Sequence, residues 1–216
     1  MAVVTVSRQL GSFGGKVARL AARELGYALV DKDLIEGVVR QYGVTMLNQF
    51  YNEPARIRDM FNSHAIETVT MFNQAIQAFG QLDNVVIVGR AGFAVIGDYA
   101  DVLDVRVEAP AEVRAQRILE RDGLESLELA AKHVAREDKV RATFVQRFEL
   151  RDPENPKSFD LVLDTNEVTV EQAAAAIVDA VRALPGGAVP SVTTAPVDPV
   201  LAEAVGSALA ARTNQA

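Results

Sequence analysis

Short apolar runs, broken by glycine and polar turns, alternate along the chain with longer stretches whose apolar positions recur every three to four residues. Residues 2–6 (AVVTV) form a β-branched run that stops at Ser7 and enters a segment holding Gly11, Gly14 and Gly15, which predicts a buried strand feeding a glycine loop. Val17, Leu20, Ala21 and Leu25 then recur at helical spacing and Gly26 suits a C-cap, so a helix is predicted over 15–25. Residues 27–30 predict a second strand. Asp31 stands as N-cap to a helix through Leu34, Ile35, Val38 and Val39 that ends near Gly43. Residues 45–52 are ambiguous, and Pro54 opens a long helical stretch through Phe61, Ala65, Val69, Phe72, Ile76 and Phe79.

Four apolar residues at 85–88, flanked by Asp83, Asn84 and Gly89, predict a strand covered on both faces. A fourth strand is predicted at 102–107, a helix from Pro110 through Val113, Arg117 and Ile118, and a charged helix over 124–148. A fifth strand at 160–163 and a helix at 168–184 complete the pattern. Strands interleaved with helices in this way predict an α/β doubly wound parallel sheet of five strands, with ligands bound at the C-terminal strand edge. Residues 185–199 have linker composition and 201–212 suit one alanine-rich helix, so 1–184 is expected as the folded domain and 185–216 as a flexible tail rich in Pro, Gly and Ala.

Composition narrows the function. The 216 residues are 49% hydrophobic and 24% charged, which excludes whole-chain disorder, collagen and coiled coil. Twenty-two Lys plus Arg against 29 Asp plus Glu leave a net charge of −7, which argues against nucleic acid or an acidic membrane as partner and confines any anion site to a local pocket. Cysteine is absent and there are two histidines, so no metal site is expected; His64 and His133 have no carboxylate or histidine at i+4 and are expected on the surface. No secretory leader or membrane-length apolar run is visible, and a cytoplasmic location is the expectation.

The candidate chemistry begins at the first strand–loop–helix unit. Gly11, Gly14 and Gly15 remove side chains where the backbone curls tightly, and the helix that follows aims free amides and its positive dipole at the loop, which makes a phosphate cradle. Against the pattern GxxxxGK[ST], Gly15 and Lys16 fit the GK pair, while Leu10 holds the place of the first glycine and Val17 that of the hydroxyl. The strings SRQLGSFGGKVARLAARELGY (7–27), VDKDLI (30–35), VIVGRAG (86–92), DKVRA (138–142) and DLVLDT (160–165) resemble, in order, the cytidylate kinase-like family, a branch of the P-loop nucleoside monophosphate kinases. The likeness runs over residues 3–183.

This resemblance implies a P-loop core, a helical lid at 125–151 and a monophosphate-binding segment near 44–80. It implies ATP and Mg2+ as cofactors and a nucleotide or other small phosphate-bearing acceptor. It places Gly11, Ser12, Gly14, Gly15 and Lys16 on the donor phosphates, Arg8, Asp31, Lys32, Arg90, Asp138 and Arg141 at the acceptor, and Lys16, Arg90, Arg136 and Arg141 in the transfer itself. Departures accompany the match. Gly14 falls where relatives carry the phosphate-binding lysine, Lys16 where they carry a magnesium-supporting Thr, Val88 where they carry an acid, and Gly37 where they carry an Arg. Arg8 and Lys32 are the other cations able to stand in for the lysine. Two readings therefore stay open: a phosphotransferase, including one with a non-nucleotide acceptor, and a catalytically impaired nucleotide-binding protein; association into homo-oligomers is compatible with either.

Overall fold

The computed structural model describes residues 2–42, 59, 62–185 and 190–213. The elements run β1 (Val3–Arg8), α1 (Gly14–Leu25), β2 (Ala28–Val30), α2 (Lys32–Gln41), α3 (Ser63–Gln81), β3 (Val85–Val88), α4 (Gly92–Val95), β4 (Val102–Glu108), α5 (Ala111–Asp122), α6 (Leu127–Phe144), β5 (Leu161–Asp164), α7 (Val170–Ala183) and α8 (Pro199–Thr213). The five strands form one parallel sheet in the order β2-β3-β1-β4-β5. The ambiguous segment 45–52 and the predicted helix start at Pro54, with Phe50 and Phe61, lie outside the described residues.

The β-branched strands segregate their side chains by period two. Val4, Val6, Val86 and Val88 pack against Val17, Ala18 and Ala21 of α1 and Ala173, Ala174 and Ile177 of α7. Val3, Val85 and Ile87 face α2, α3 and α8 on the opposite side, where Phe72, Ile76 and Phe79 are buried. Both faces are thereby covered, as the run of apolar residues at 85–88 requires. Gly26 ends α1 in the left-handed conformation and Asp31 caps α2 by accepting from the Leu34 amide, both as predicted. The central strand β1 lies between β3 and β4, so the chain reverses its order of strands there and opens a crevice at its C-terminal end.

Two expectations change. The predicted helix over 124–148 starts one turn later, capped by Ser126, and passes at Val145–Glu149 into a π-helical turn. That turn shifts the angular register between α6 and the residues that follow it. The expected tail carries ordered structure: Asp101 accepts from the Ser191 hydroxyl and the Val192 amide, Asp198 caps α8, and Leu201 and Val205 are buried against the domain. A four-residue spacing puts Leu201 and Val205 on one face of the alanine-rich helix, and that face docks. Among the described residues no helix is long and apolar enough to cross a membrane.

Candidate active site

The glycine loop owes its shape to what holds its carbonyls. Arg141 donates to the Arg8 carbonyl at 3.3 Å, Arg114 to that of Leu10 at 3.3 Å, Arg117 to that of Gly11 at 3.2 Å, and the Thr165 hydroxyl to that of Ser12 at 2.9 Å. Ser12 is buried and its own hydroxyl donates to the Gln9 carbonyl. With the carbonyls engaged from outside, the loop presents its amides inward. The Lys16 and Val17 amides bond the Phe13 carbonyl, while those of Gly14 and Gly15 have no intrahelical acceptor and are available to an anion. Gly11 sits at φ 83° with the Arg114 carbonyl so close that a Cβ would lie 2.8 Å from it. Here glycine is required twice, by conformation and by space.

Next to the loop, at the ends of β1 and β3, lies a cavity of about 210 Å3 lined by Arg8, Lys32, Arg90, Arg106, Asp138 and Arg141 among others. Arg8 crosses from β1 toward β3, and its Nη1 lies where a Cβ on Gly89 would be only 2.0 Å away. Its guanidinium makes no hydrogen bond or ion pair among the described residues. Burial, then the neighbouring charges of Arg141 and Arg90, push its pKa down to about 10, with Asp31 opposing. The cation persists at neutral pH with no carboxylate bonded to it among the described residues. Arg141 is likewise lowered, first by burial and then by Arg90 and Arg114, with Glu137 and Asp138 opposing.

The other cations have protein partners. Arg90 forms a buried ion pair with Glu36, whose carboxylate also meets Lys32 at 3.7 Å and Arg40 at 3.3 Å. Asp138 holds Arg114 at 2.6 Å, and Arg106 is shared between Glu108 at 3.2 Å and Glu154 at 2.9 Å. Gly89, Arg90 and Ala91 follow β3 as three successive left-handed residues, at φ 75°, 54° and 58°. Two of them carry side chains, and such strain, about 1 kcal/mol or more per residue, is characteristic of functional turns.

Of the residues singled out from the sequence, Arg8, Lys32, Arg90, Asp138 and Arg141 converge on the cavity, and Gly11, Ser12, Gly14 and Gly15 build the loop beside it. Lys16 is exposed and rests over the Phe13 ring, 4.6 Å from its centroid, away from the cavity. Arg136 is exposed and does not line it. Asp31 is engaged by Arg212, at 2.7 and 2.6 Å. His64, exposed, lies 3.7 Å from Glu67 at i+3, a carboxylate that the i+4 spacing overlooked. Arg106, Arg114 and Arg117 were missed; their signal is cationic side chains set among apolar neighbours such as Val105, Val107, Ala115 and Ile118.

The strand order and the glycine loop between β1 and α1 define a P-loop kinase fold. A shikimate kinase from Acinetobacter baumannii, solved with shikimate, superposes with TM-score 0.51 at 14% identity, covering 84% of this chain and 93% of its own. A structure of an uncharacterized protein from Eubacterium ventriosum superposes more closely, at TM-score 0.68 and 17% identity, over 85% of this chain and 99% of its own. The chain belongs to the cytidylate kinase-like family, whose sequence pattern matches residues 3–167. Among curated relatives, a cytidylate kinase from Pyrobaculum arsenaticum is 32% identical over 83% of this chain and 92% of its own length. α8 lies beyond the residues that the family pattern matches.

Proposed function

We propose that the protein transfers the γ-phosphoryl group of ATP to a small, nucleotide-type acceptor that is held by its phosphate. The observation that carries this reading is Arg8: a guanidinium facing a cavity beside a cradle of free amides, with other cations around it and no carboxylate of its own. A doubly charged phosphate supplies the missing counter-charge, and a planar fork suits its oxygens. In this reading the Gly14 and Gly15 amides bind the donor phosphates, Arg141 binds the acceptor phosphate, and Arg8 lies between the two. An acceptor phosphate is already ionised at neutral pH, so no general base is needed. Alignment of the two phosphates and neutralisation of the charge between them lower the barrier.

The described residues offer no dedicated cage for the family's expected Mg2+, which would be held chiefly by the substrate phosphates and water. Among the described residues no three His, Cys, Asp or Glu side chains cluster to hold a metal, Val88 is apolar at the strand end, and an exposed Lys16 occupies the place of the supporting hydroxyl. The neutralising charge that the protein itself supplies in the scheme above comes from the guanidinium groups. The same departures favour a second reading, a nucleotide-binding protein without turnover.

Purified protein with labelled ATP, across nucleoside monophosphates and small phosphorylated metabolites, separates the two. Transfer to at least one acceptor is expected. Arg8→Gln is expected to reduce kcat/KM about 100-fold, the loss of one charge-assisted contact in the transition state, and Lys16→Ala to reduce it less. Tight ATP binding without transfer to any acceptor overturns the phosphotransferase in favour of the binding protein.

A further inference from the structure

Helix α8 brings one charged side chain to the edge of the site. Arg212, in its last turn, meets Asp31 as a two-bond fork: Nη1 donates to Oδ1 at 2.7 Å and Nη2 to Oδ2 at 2.6 Å. The helix is held for this by buried Leu201 and Val205 and by the Tyr42 hydroxyl, which donates to the Val200 carbonyl at 3.2 Å. Asp31 ends the β2 connection one residue before Lys32, which lines the cavity. The other carboxylates close to the site are committed: Glu36 to Arg90, Lys32 and Arg40, Asp138 to Arg114, Glu154 to Arg106 and Glu137 to Arg141. Asp31 follows Val30, which pairs with Ile87, so it stands at the edge of the sheet beside the end of β3, where Arg8 Nη1 lies against Gly89; its charge also opposes the lowering of the Arg8 pKa. Both of its oxygens are occupied by Arg212, Oδ1 also accepts from the Leu34 amide at 3.1 Å, and Arg8 is left for a ligand.

We propose that Arg212 is a positioning residue: by holding the Asp31 carboxylate, it keeps that carboxylate from neutralising Arg8 and so sustains the affinity of the cavity for a phosphate group. The proposal rests on the reading of Arg8 as the phosphate-contacting cation. Its physical content is competition. A carboxylate and a phosphate oxygen seek the same guanidinium, and the side chain of Asp31, once released, is tethered at high effective concentration beside the site. Docking of α8 and anion binding are thereby coupled, since undocking the helix frees the internal competitor.

The test is a set of titrations with inorganic phosphate at low ionic strength, where charge effects are least screened. Arg8→Gln reports on the underlying reading and is expected to abolish measurable binding. Arg212→Gln is expected to weaken phosphate binding about fivefold, a scale suited to a half-exposed ion pair. Asp31→Asn added to Arg212→Gln is expected to restore the affinity, because asparagine keeps the N-cap of α2 and cannot neutralise Arg8. A merely structural staple gives the opposite order, with the double variant no better than Arg212→Gln. Melting curves identify any variant in which α8 has undocked, and Arg212→Lys, which keeps the charge and loses the fork, then serves in its place with a smaller expected loss. Phosphate binding that depends on Arg8 but is unchanged in Arg212→Gln overturns the role of Arg212 alone. Binding indifferent to Arg8, or absent from the wild type, overturns both.

Discussion

Gly89→Ala is the sharpest perturbation of the site, because it moves a functional group without changing it. The new Cβ would lie 2.0 Å from Arg8 Nη1. Carbon and nitrogen atoms settle near 3.5 Å, so the guanidinium must retreat by about 1.5 Å. A hydrogen bond of about 2.9 Å stretched by that amount is no longer a bond. Losing one hydrogen bond to a charged group removes about 1.5–3 kcal/mol, or roughly ten- to hundredfold in affinity for a phosphate probe. The fold suffers less, since the colliding atom is the far end of a flexible side chain. What remains is the φ of 75° at position 89, where a Cβ costs about 1–2 kcal/mol.

Gly26→Ala is the matched control: its φ is 69° and nothing stands within 4 Å of the added Cβ, so it carries the same backbone penalty far from Arg8. Calorimetric titration with phosphate and with ATP, beside denaturant melts, should show both variants destabilised alike and Gly89→Ala alone impaired in binding. Adding Arg8→Gln to Gly89→Ala should then produce no further loss, as expected of two changes that act on one contact. Gly89→Ala and Gly26→Ala binding phosphate equally well would refute the assignment of Arg8.

Three other outcomes follow from the same structure. Arg90→Met should destabilise the fold by about 3 kcal/mol, because it strands the buried Glu36 with only Lys32 and Arg40, and Glu36→Gln in that background should recover part of the loss in urea melts. Truncation after Leu184 should lower the melting temperature by about 10 °C, given about 1.5–3 kcal/mol for each of the buried Leu201 and Val205 side chains. Asp104, which accepts from the Thr5 hydroxyl, has its pKa raised by burial from 3.8 to about 7. The folded state therefore keeps a proton that the unfolded chain releases, and stability falls as pH rises from about 4 to 7, by an amount on the order of 3 kcal/mol. Melting curves at pH 4 and pH 8 should show Asp104→Asn more stable than wild type only at the higher pH; parallel pH profiles would count against it.

The sheet was legible because burial on both faces leaves a run such as VVIV at 85–88, and the loop because glycines cluster where a strand ends. What stayed hidden was side-chain direction over long separations in the chain. Arg90 and Glu36 stand 54 residues apart, and only their shared burial makes them a pair. Glu36 reads in sequence as an exposed i,i+4 partner of Lys32 and Arg40, a pattern of solvated helix faces. The carbonyl clamp from Arg114 and Arg117 bridges 104 and 106 residues, and their apolar neighbours in sequence do not say which carbonyls they reach. In the tail, averaging over Pro, Gly and Ala concealed the two positions, Leu201 and Val205, that decide whether the segment docks.

The structure separates Lys16 from Arg8, the residue that the proposed function takes as the phosphate-binding cation. The GK pair survives at Gly15 and Lys16, yet that lysine is exposed over Phe13. The position aligned with the family's lysine is Gly14, and it is buried against Arg8: a Cβ there would lie 2.6 Å from the Arg8 Cβ, a collision near the backbone that no rotamer relieves. A side chain at 14 is therefore excluded by the Cβ of residue 8 unless the backbone moves. Gly89 then meets the same demand from the opposite wall, since any side chain there would push the guanidinium out of the cavity. The two glycines bracket Arg8 and fix where its charge can stand.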